Sequence, residues 1–195
     1  MNQAALVDKF GRIILANELD NNLALALEFS DADGVRSGKS GYSYGESQFD
    51  IANNPTAAVC LRACGLTPEE IAGLKAQSID VKPLNAKLKA AAATVKRFDD
   101  IQLASCVTRA QTILSSFKIT PADDTALLAV ADYANQYYLS AFNKPGYLVH
   151  YLVLLGRPFT AKDILDFKLD CTPYGKDHPK DCQRRYDNLI RIMQS

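Results

Sequence analysis

The sequence lacks any net charge. Its 195 residues carry 22 basic and 22 acidic side chains, with two histidines. A nucleic-acid binder normally shows a basic excess, so that class is set aside. Nothing in the balance steers the chain onto an acidic surface either. There is no GxGxxG turn, P-loop or HExxH helix, which excludes the usual dinucleotide, nucleotide and zinc-protease centres. No CxxC pair occurs among Cys60, Cys64, Cys106, Cys171 and Cys182, so no zinc site is read from them. A cysteine nucleophile would need His150 or His178 as partner, and no motif supports either. Neither cofactor nor metal is expected.

Long apolar runs are also missing. Tyr147 to Leu155 is apolar but far too short to cross a bilayer. Met1 to Glu18 carries Asp8 and Glu18 and has no uninterrupted apolar stretch, so no secretion signal is read there. The expected place of synthesis is the cytoplasm, and any outside substrate would be reached by delivery or release. The five cysteines are odd in number and read as structural. Cys60 and Cys64, one helical turn apart, fit two buried thiols, while Cys171 and Cys182 bracket Thr172 to Asp181 and could close that loop in an oxidising compartment.

What is present is ordinary globular composition, 48% apolar and 23% charged. There is no repeat, low-complexity tract or linker. One domain over 1–195 is expected, with a hinge at Asp80 to Leu84 as the dividing point if lobes 1–80 and 81–195 exist. A monomer is expected.

Helical periodicity dominates. Val7, Phe10, Ile13, Ile14, Leu19, Leu23 and Leu27 recur at helical spacing up to Glu28, interrupted at most at Asp20-Asn21-Asn22. From Asp31 to Gly45 the pattern gives way to glycines and serines, which predicts a loop or small hairpin. Asn54-Pro55 starts a helix that Gly65 stops. Thr67-Pro68-Glu69-Glu70 is a capping box. Further helices are predicted over Leu84–Arg97, Asp99–Phe117, Ala122–Leu139, Tyr147–Leu155, Ala161–Phe167 and Pro179–Met193. The fold class is mainly α (α+β), with a small β-hairpin after the helix that ends at Glu28.

Chemistry concentrates between Leu23 and Asn54. Glu28 closes an apolar helical run, so it is expected to face partly inward. Loss of hydration there raises a carboxyl's pKa and equips it to donate a proton to a glycosidic oxygen. A solvated glutamate at a helix end would occupy the same place. An extended Tyr42 to Gln48 would set Tyr42, Tyr44, Glu46 and Gln48 on one face and Ser43 on the other. Two aromatic platforms, a carboxylate and an amide are groups that bind sugar rings, and an exposed hairpin bearing tyrosines would show the same pattern.

A glutamate closing a helix, a Gly/Ser loop, and then Tyr44-Gly45-Glu46-Ser47-Gln48-Phe49-Asp50-Ile51 resembles the active-site segment of the lysozyme-like superfamily. The match is most similar to lytic transglycosylases and goose-type or phage lysozymes, and it covers about thirty residues. The resemblance implies a lysozyme-like helical domain with Glu28 as general acid. It also implies that Gly45 and Gln48, the latter twenty residues on, shape the cleft. Two positions depart from the family pattern. Phe29 stands where a serine usually follows the acid, and Glu46-Ser47 replaces an apolar pair. Lytic transglycosylases bring a tyrosine from a later helix to the acid, so Tyr133 or Tyr137 is a candidate beside Gln136. Arg184-Arg185 matches an arginine pair found late in phage-type lysozymes, or forms a solvated basic face.

For a second carboxylate Glu46 comes first, then Asp31 and Asp33, or the substrate's own acetamido or hydroxyl group. Asp31-Ala32-Asp33-Gly34 lacks the later acidic ligand of a calcium loop. Together these imply a glycosidase cutting the β-1,4 bond between amino sugars of peptidoglycan, as a muramidase, phage endolysin, secreted effector or lytic transglycosylase. Tyr42, Ser43, Tyr44, Gln48, Tyr133, Gln136 and Tyr137 are its candidate substrate contacts. A chitinase or chitosanase, or a helical module that binds glycan without cutting it, are the alternatives.

Overall fold

The computed structural model describes residues 1–31 and 40–195, so Asp33, Gly34 and Gly38 lie outside the described residues. The protein is mainly helical, with one small antiparallel sheet. Its chain divides into two compact units, Glu18–Gln102 and Met1–Asn17 with Leu103–Ser195. Asp80 to Leu84 lies within the first of these. Leu84 and Leu88 are buried there in one core with Leu61 and Leu74, which keeps the segments on either side of Asp80 together.

Helix α1 (Gln3–Leu19) starts at Asn2, whose Oδ1 accepts from Ala5 N at 2.9 Å. It stops where Asp20 and Asn21 take left-handed backbone, φ 48° and 63°. Short polar side chains tolerate that region better than most. Asn22 then caps a single 3-10 turn, Leu23–Leu27, by accepting from Ala24 N at 3.2 Å. The periodicity up to Glu28 therefore does not run as one helix. The interruption at Asp20-Asn21-Asn22 is complete, and Glu28 closes one turn in extended backbone.

The sheet of the Glu18–Gln102 unit follows at once. Strands β1 (Ser30–Asp31), β2 (Tyr42–Tyr44) and β3 (Phe49–Asp50) pair in that order, with Ser30 opposite Ser43 and Tyr44 opposite Phe49. Residues 45–48 form the turn between β2 and β3, so the extended run expected over Tyr42 to Gln48 breaks after Tyr44. Gly45 at φ 81° makes the break. A Cβ there would stand 2.9 Å from both Asp99 Oδ1 and Phe49 Cδ2. Gly45→Ala is expected to lower stability by about 1–3 kcal/mol, read in urea denaturation, because conformation and contact both oppose a side chain.

Helices α2 (Pro55–Ala63) and α3 (Pro68–Lys75) begin where the sequence predicts, and α2 also ends there. Asn54 and Thr67 cap their starts, and Gly65 takes φ 83° after the first. Helix α4 (Lys82–Ala90) and helix α5 (Ala92–Ser116) meet at Ala91, not near Phe98 as the two predicted segments would have it. No glycine or proline marks that junction, and apolar spacing alone misplaced it.

The second unit holds the later part of α5, then α6 (Asp124–Tyr137), α7 (Leu148–Leu155), α8 (Ala161–Cys171), α9 (Pro173–Asp177) and α10 (Pro179–Gln194). Helix α6 is buried along most of its length, from Ala126 to Asp132, and packs in one core with Phe10 and Ile14 of α1, Val107 of α5 and Leu189 of α10. Thr160 and Asp163 form a capping box on α8. Asp123 caps α6, its side chain accepting from Ala126 N at 2.8 Å.

Candidate functional site

Glu28 is carried between the 3-10 turn and β1. It does not face inward as expected. Its side chain is 42% exposed and pairs with Lys89 of α4 at 2.7 Å. The apolar residues before it explain this, since in a 3-10 turn Leu23 and Leu25 stay exposed and only Ala26 is buried. The backbone around Glu28 is nonetheless tightly held. Phe29 N donates to Asn85 Oδ1 at 2.9 Å. Ser30 Oγ donates to Gln48 Oε1 at 2.8 Å and lies 3.3 Å from the Ser43 carbonyl. Gln48 Nε2 donates to the Gly45 carbonyl at 3.0 Å, and Gly45 N donates to the Ala26 carbonyl at 2.8 Å. The β2–β3 turn is thus hydrogen-bonded to residues on both sides of Glu28.

The tyrosines expected as platforms behave differently from one another. Tyr44 is fully buried, packs against Phe29 and Phe49 with centroids 5.6 Å away, and donates its hydroxyl to the Ala57 carbonyl at 2.8 Å. It is a core residue. Ser43 is buried too, while Tyr42 is half-buried. Asp31 accepts from Gln77 Nε2 at 2.8 Å.

Glu46 sits in the turn, nearly buried, with Lys96 Nζ 3.9 Å from its carboxylate. Burial raises its pKa, partly offset by Lys96. It lines a cleft of about 370 Å³ with Leu23, Leu27, Val95, Lys96 and Asp99. That size falls in the range of small-ligand sites, roughly 300–1,000 Å³. Asp99 on α5 builds the cleft's polar end, its two oxygens accepting from Glu46 N and Ser47 N, each at 2.9 Å. No local pattern marks Asp99, because its partners are backbone groups more than fifty residues away.

Burial pushes the Asp99 carboxyl up to about 6, against the pull of those two amides. The folded chain therefore binds a proton there at pH values where the unfolded carboxyl, near 3.9, has lost it. Asp99 adds stability that is fully present below about pH 4 and lost as pH rises through about 6. Urea denaturation across that window is expected to show the slope in the parent chain and its loss in Asp99→Asn.

Tyr133, Gln136 and Tyr137 belong to the second unit, where each has a structural partner. Tyr133 stacks on Tyr137 at 4.8 Å and meets the Phe167 ring at 5.9 Å. Gln136 Oε1 accepts from Lys168 Nζ at 2.7 Å. The arginine pair is not a solvated basic face. Arg185 is buried and donates to Asp132 Oδ1 at 2.6 Å, and Lys168 donates to Asp132 Oδ2 at 2.9 Å. Arg184 bonds Asp181 and the Asn17 carbonyl. All five cysteines are free thiols, including Cys171 and Cys182.

Among the described residues no group of three or more His, Cys, Asp or Glu is placed to hold a metal ion, and no helix is long and apolar enough to cross a membrane. No family model, curated protein or solved structure matches the chain.

Proposed function

We propose that the chain is a glycosidase that cuts the β-1,4 bond between amino sugars of peptidoglycan, with Glu28 as the catalytic acid. The observation that carries this is the hydrogen bond from Ser30 to Gln48. It closes the twenty-residue motif on itself two residues past Glu28, so the acid and the glutamine-bearing turn form one rigid rim. Catalytic carboxyls need that kind of fixed placement, since proton donation depends on reach before it depends on acidity.

Glu28 donates its proton to the leaving glycosidic oxygen. Its pairing with Lys89 does not prevent this, because a half-exposed ion pair is worth well under about 1 kcal/mol and yields to a bound sugar. Glu46 is the second carboxylate, held by the same turn. It either orients water or leaves the attack to the substrate's acetamido or hydroxyl group, as in the lytic transglycosylases that the motif resembles. Tyr42 and Gln48 supply stacking and an amide at the rim, whereas Tyr44 supports the motif from below.

Digestion of purified peptidoglycan, with soluble products weighed by mass spectrometry, tests the proposal. Released muropeptides with reducing ends mean hydrolysis, and anhydro-muramyl ends mean transglycosylation. A wall left intact, or fragments cut only at amide bonds, would overturn it.

A further inference from the structure

The second unit carries exposed aromatic side chains that take no part in the chemistry at Glu28. From Tyr133 to Lys162, thirty residues contain no aspartate or glutamate, in a chain where such residues number 22 of 195. The same stretch holds Lys144 and His150, besides Arg157 and Lys162, which pair with Asp163 and Asp166, and it exposes large rings. Tyr138 is 69% exposed, Phe142 52% and Tyr147 40%. These three lie in or beside the irregular segment between α6 and α7, which Leu139 anchors in the core.

The rings are held in place. Tyr138 has φ 54°, a conformation that bulky residues rarely adopt and that clusters at functional sites. The Arg109 guanidinium lies 4.0 Å from its ring centroid, and Arg109 Nε donates to the Leu139 carbonyl at 2.6 Å. Phe142 meets Tyr147 edge-on at 5.4 Å, with Lys144 Nζ 5.7 Å from the Phe142 centroid. A cation against one face of a ring fixes it and leaves the other face open, so little freedom is lost when that face is covered. Beside them His150 Nδ1 and Asn143 Oδ1 are 2.9 Å apart, an imidazole and amide pair suited to hydroxyl and acetamido groups.

We propose that Tyr138, Phe142 and Tyr147, with Lys144 and Arg109, form a second glycan-binding surface. It holds an amino-sugar polymer that carries carboxylates, and it is made of residues separate from those around Glu28. Open ring faces take the apolar faces of pyranoses. The cations Lys144 and Arg109 beside the rings favour carboxylate-bearing chains over neutral ones such as chitin. The polar Asn143 and His150 among the rings suit the hydroxyl and acetamido groups of a sugar, and the vesicle arm of the test separates that ligand from an anionic lipid surface. The identity of the polymer rests on the wall-glycan function proposed above.

The test uses the full chain carrying Glu28→Gln, so that the polymer is not consumed, and measures co-sedimentation with purified sacculi, colloidal chitin and phosphatidylglycerol vesicles. Binding to sacculi is expected to exceed binding to chitin, and to weaken about tenfold in Phe142→Ala/Tyr147→Ala. Lys144→Gln should reduce the salt sensitivity of binding. All these side chains are exposed, and circular dichroism confirms folding of each variant. Equal binding of sacculi by parent and double variant overturns the proposal, as does binding to vesicles alone. Cleavage is read separately, by comparing the parent with Glu28→Gln. If wall digestion fails while ring-dependent sedimentation persists, the catalytic function is lost and this surface stands.

Discussion

Asp132→Ala is expected to be the most damaging single substitution for stability, costing about 3–5 kcal/mol in urea denaturation, because it strands two buried cations. Lys168 and Arg185 are each almost fully buried, and both donate to the Asp132 carboxylate, at 2.9 Å and 2.6 Å. Burial of Asp132 opposes ionisation, but the two neighbouring cations outweigh it and hold its pKa well below the usual carboxylate range. A group whose folded pKa is depressed gives stability that is present above the ordinary carboxylate pKa and is lost as pH falls through the folded value. Asp132 and Asp99 therefore contribute opposite pH slopes, the first losing stability in acid and the second gaining it. Arg184→Ala is the control. Its side chain is 41% exposed, with Asp181 and the Asn17 carbonyl as partners, and its loss should cost about 1 kcal/mol, well below the loss at Asp132.

Glu28→Gln is expected to lower wall cleavage by about a hundredfold to ten-thousandfold, the usual span for removing a general acid. The amide keeps the shape and the Ser30–Gln48 framework but has no proton to give. Folding should be nearly unchanged, since the lost partner is a surface lysine at 53% exposure. Lys89→Gln should likewise leave stability within about 0.5 kcal/mol. A variant set in which cleavage tracks Glu28 and not Lys89 assigns the chemistry to the carboxyl rather than to the ion pair.

The sequence made the helical elements legible where local chemistry marks them. Asn54-Pro55, Gly65 and the Thr67 capping box fall where predicted, because capping is a property of neighbours in the chain. The hairpin after Glu28 was legible for the same reason, from its glycines and serines. Features set by distant partners were not. Glu28 was expected to face inward because Leu23 and Leu27 precede it, yet a one-turn 3-10 helix leaves its leucines largely outside. Tyr44 was expected outward because strand alternation was carried through Gly45, whose left-handed backbone ends the strand. Asp99 carried no signal at all, since its role is to hold amides of a turn distant in sequence. Arg185 looked like part of a basic surface because its counter-charge, Asp132, lies on another helix. Period and composition report what a residue's neighbours do, and a buried charge is defined by partners that neither can see.

Turbidity clearing of a purified cell-wall suspension by the parent chain, run beside Glu28→Gln at equal concentration, addresses the central claim most directly. Clearing by the parent and its near absence with the variant is the expected result. Equal clearing by both proteins, or by neither, would contradict the assignment of Glu28 as the catalytic acid of a wall glycosidase.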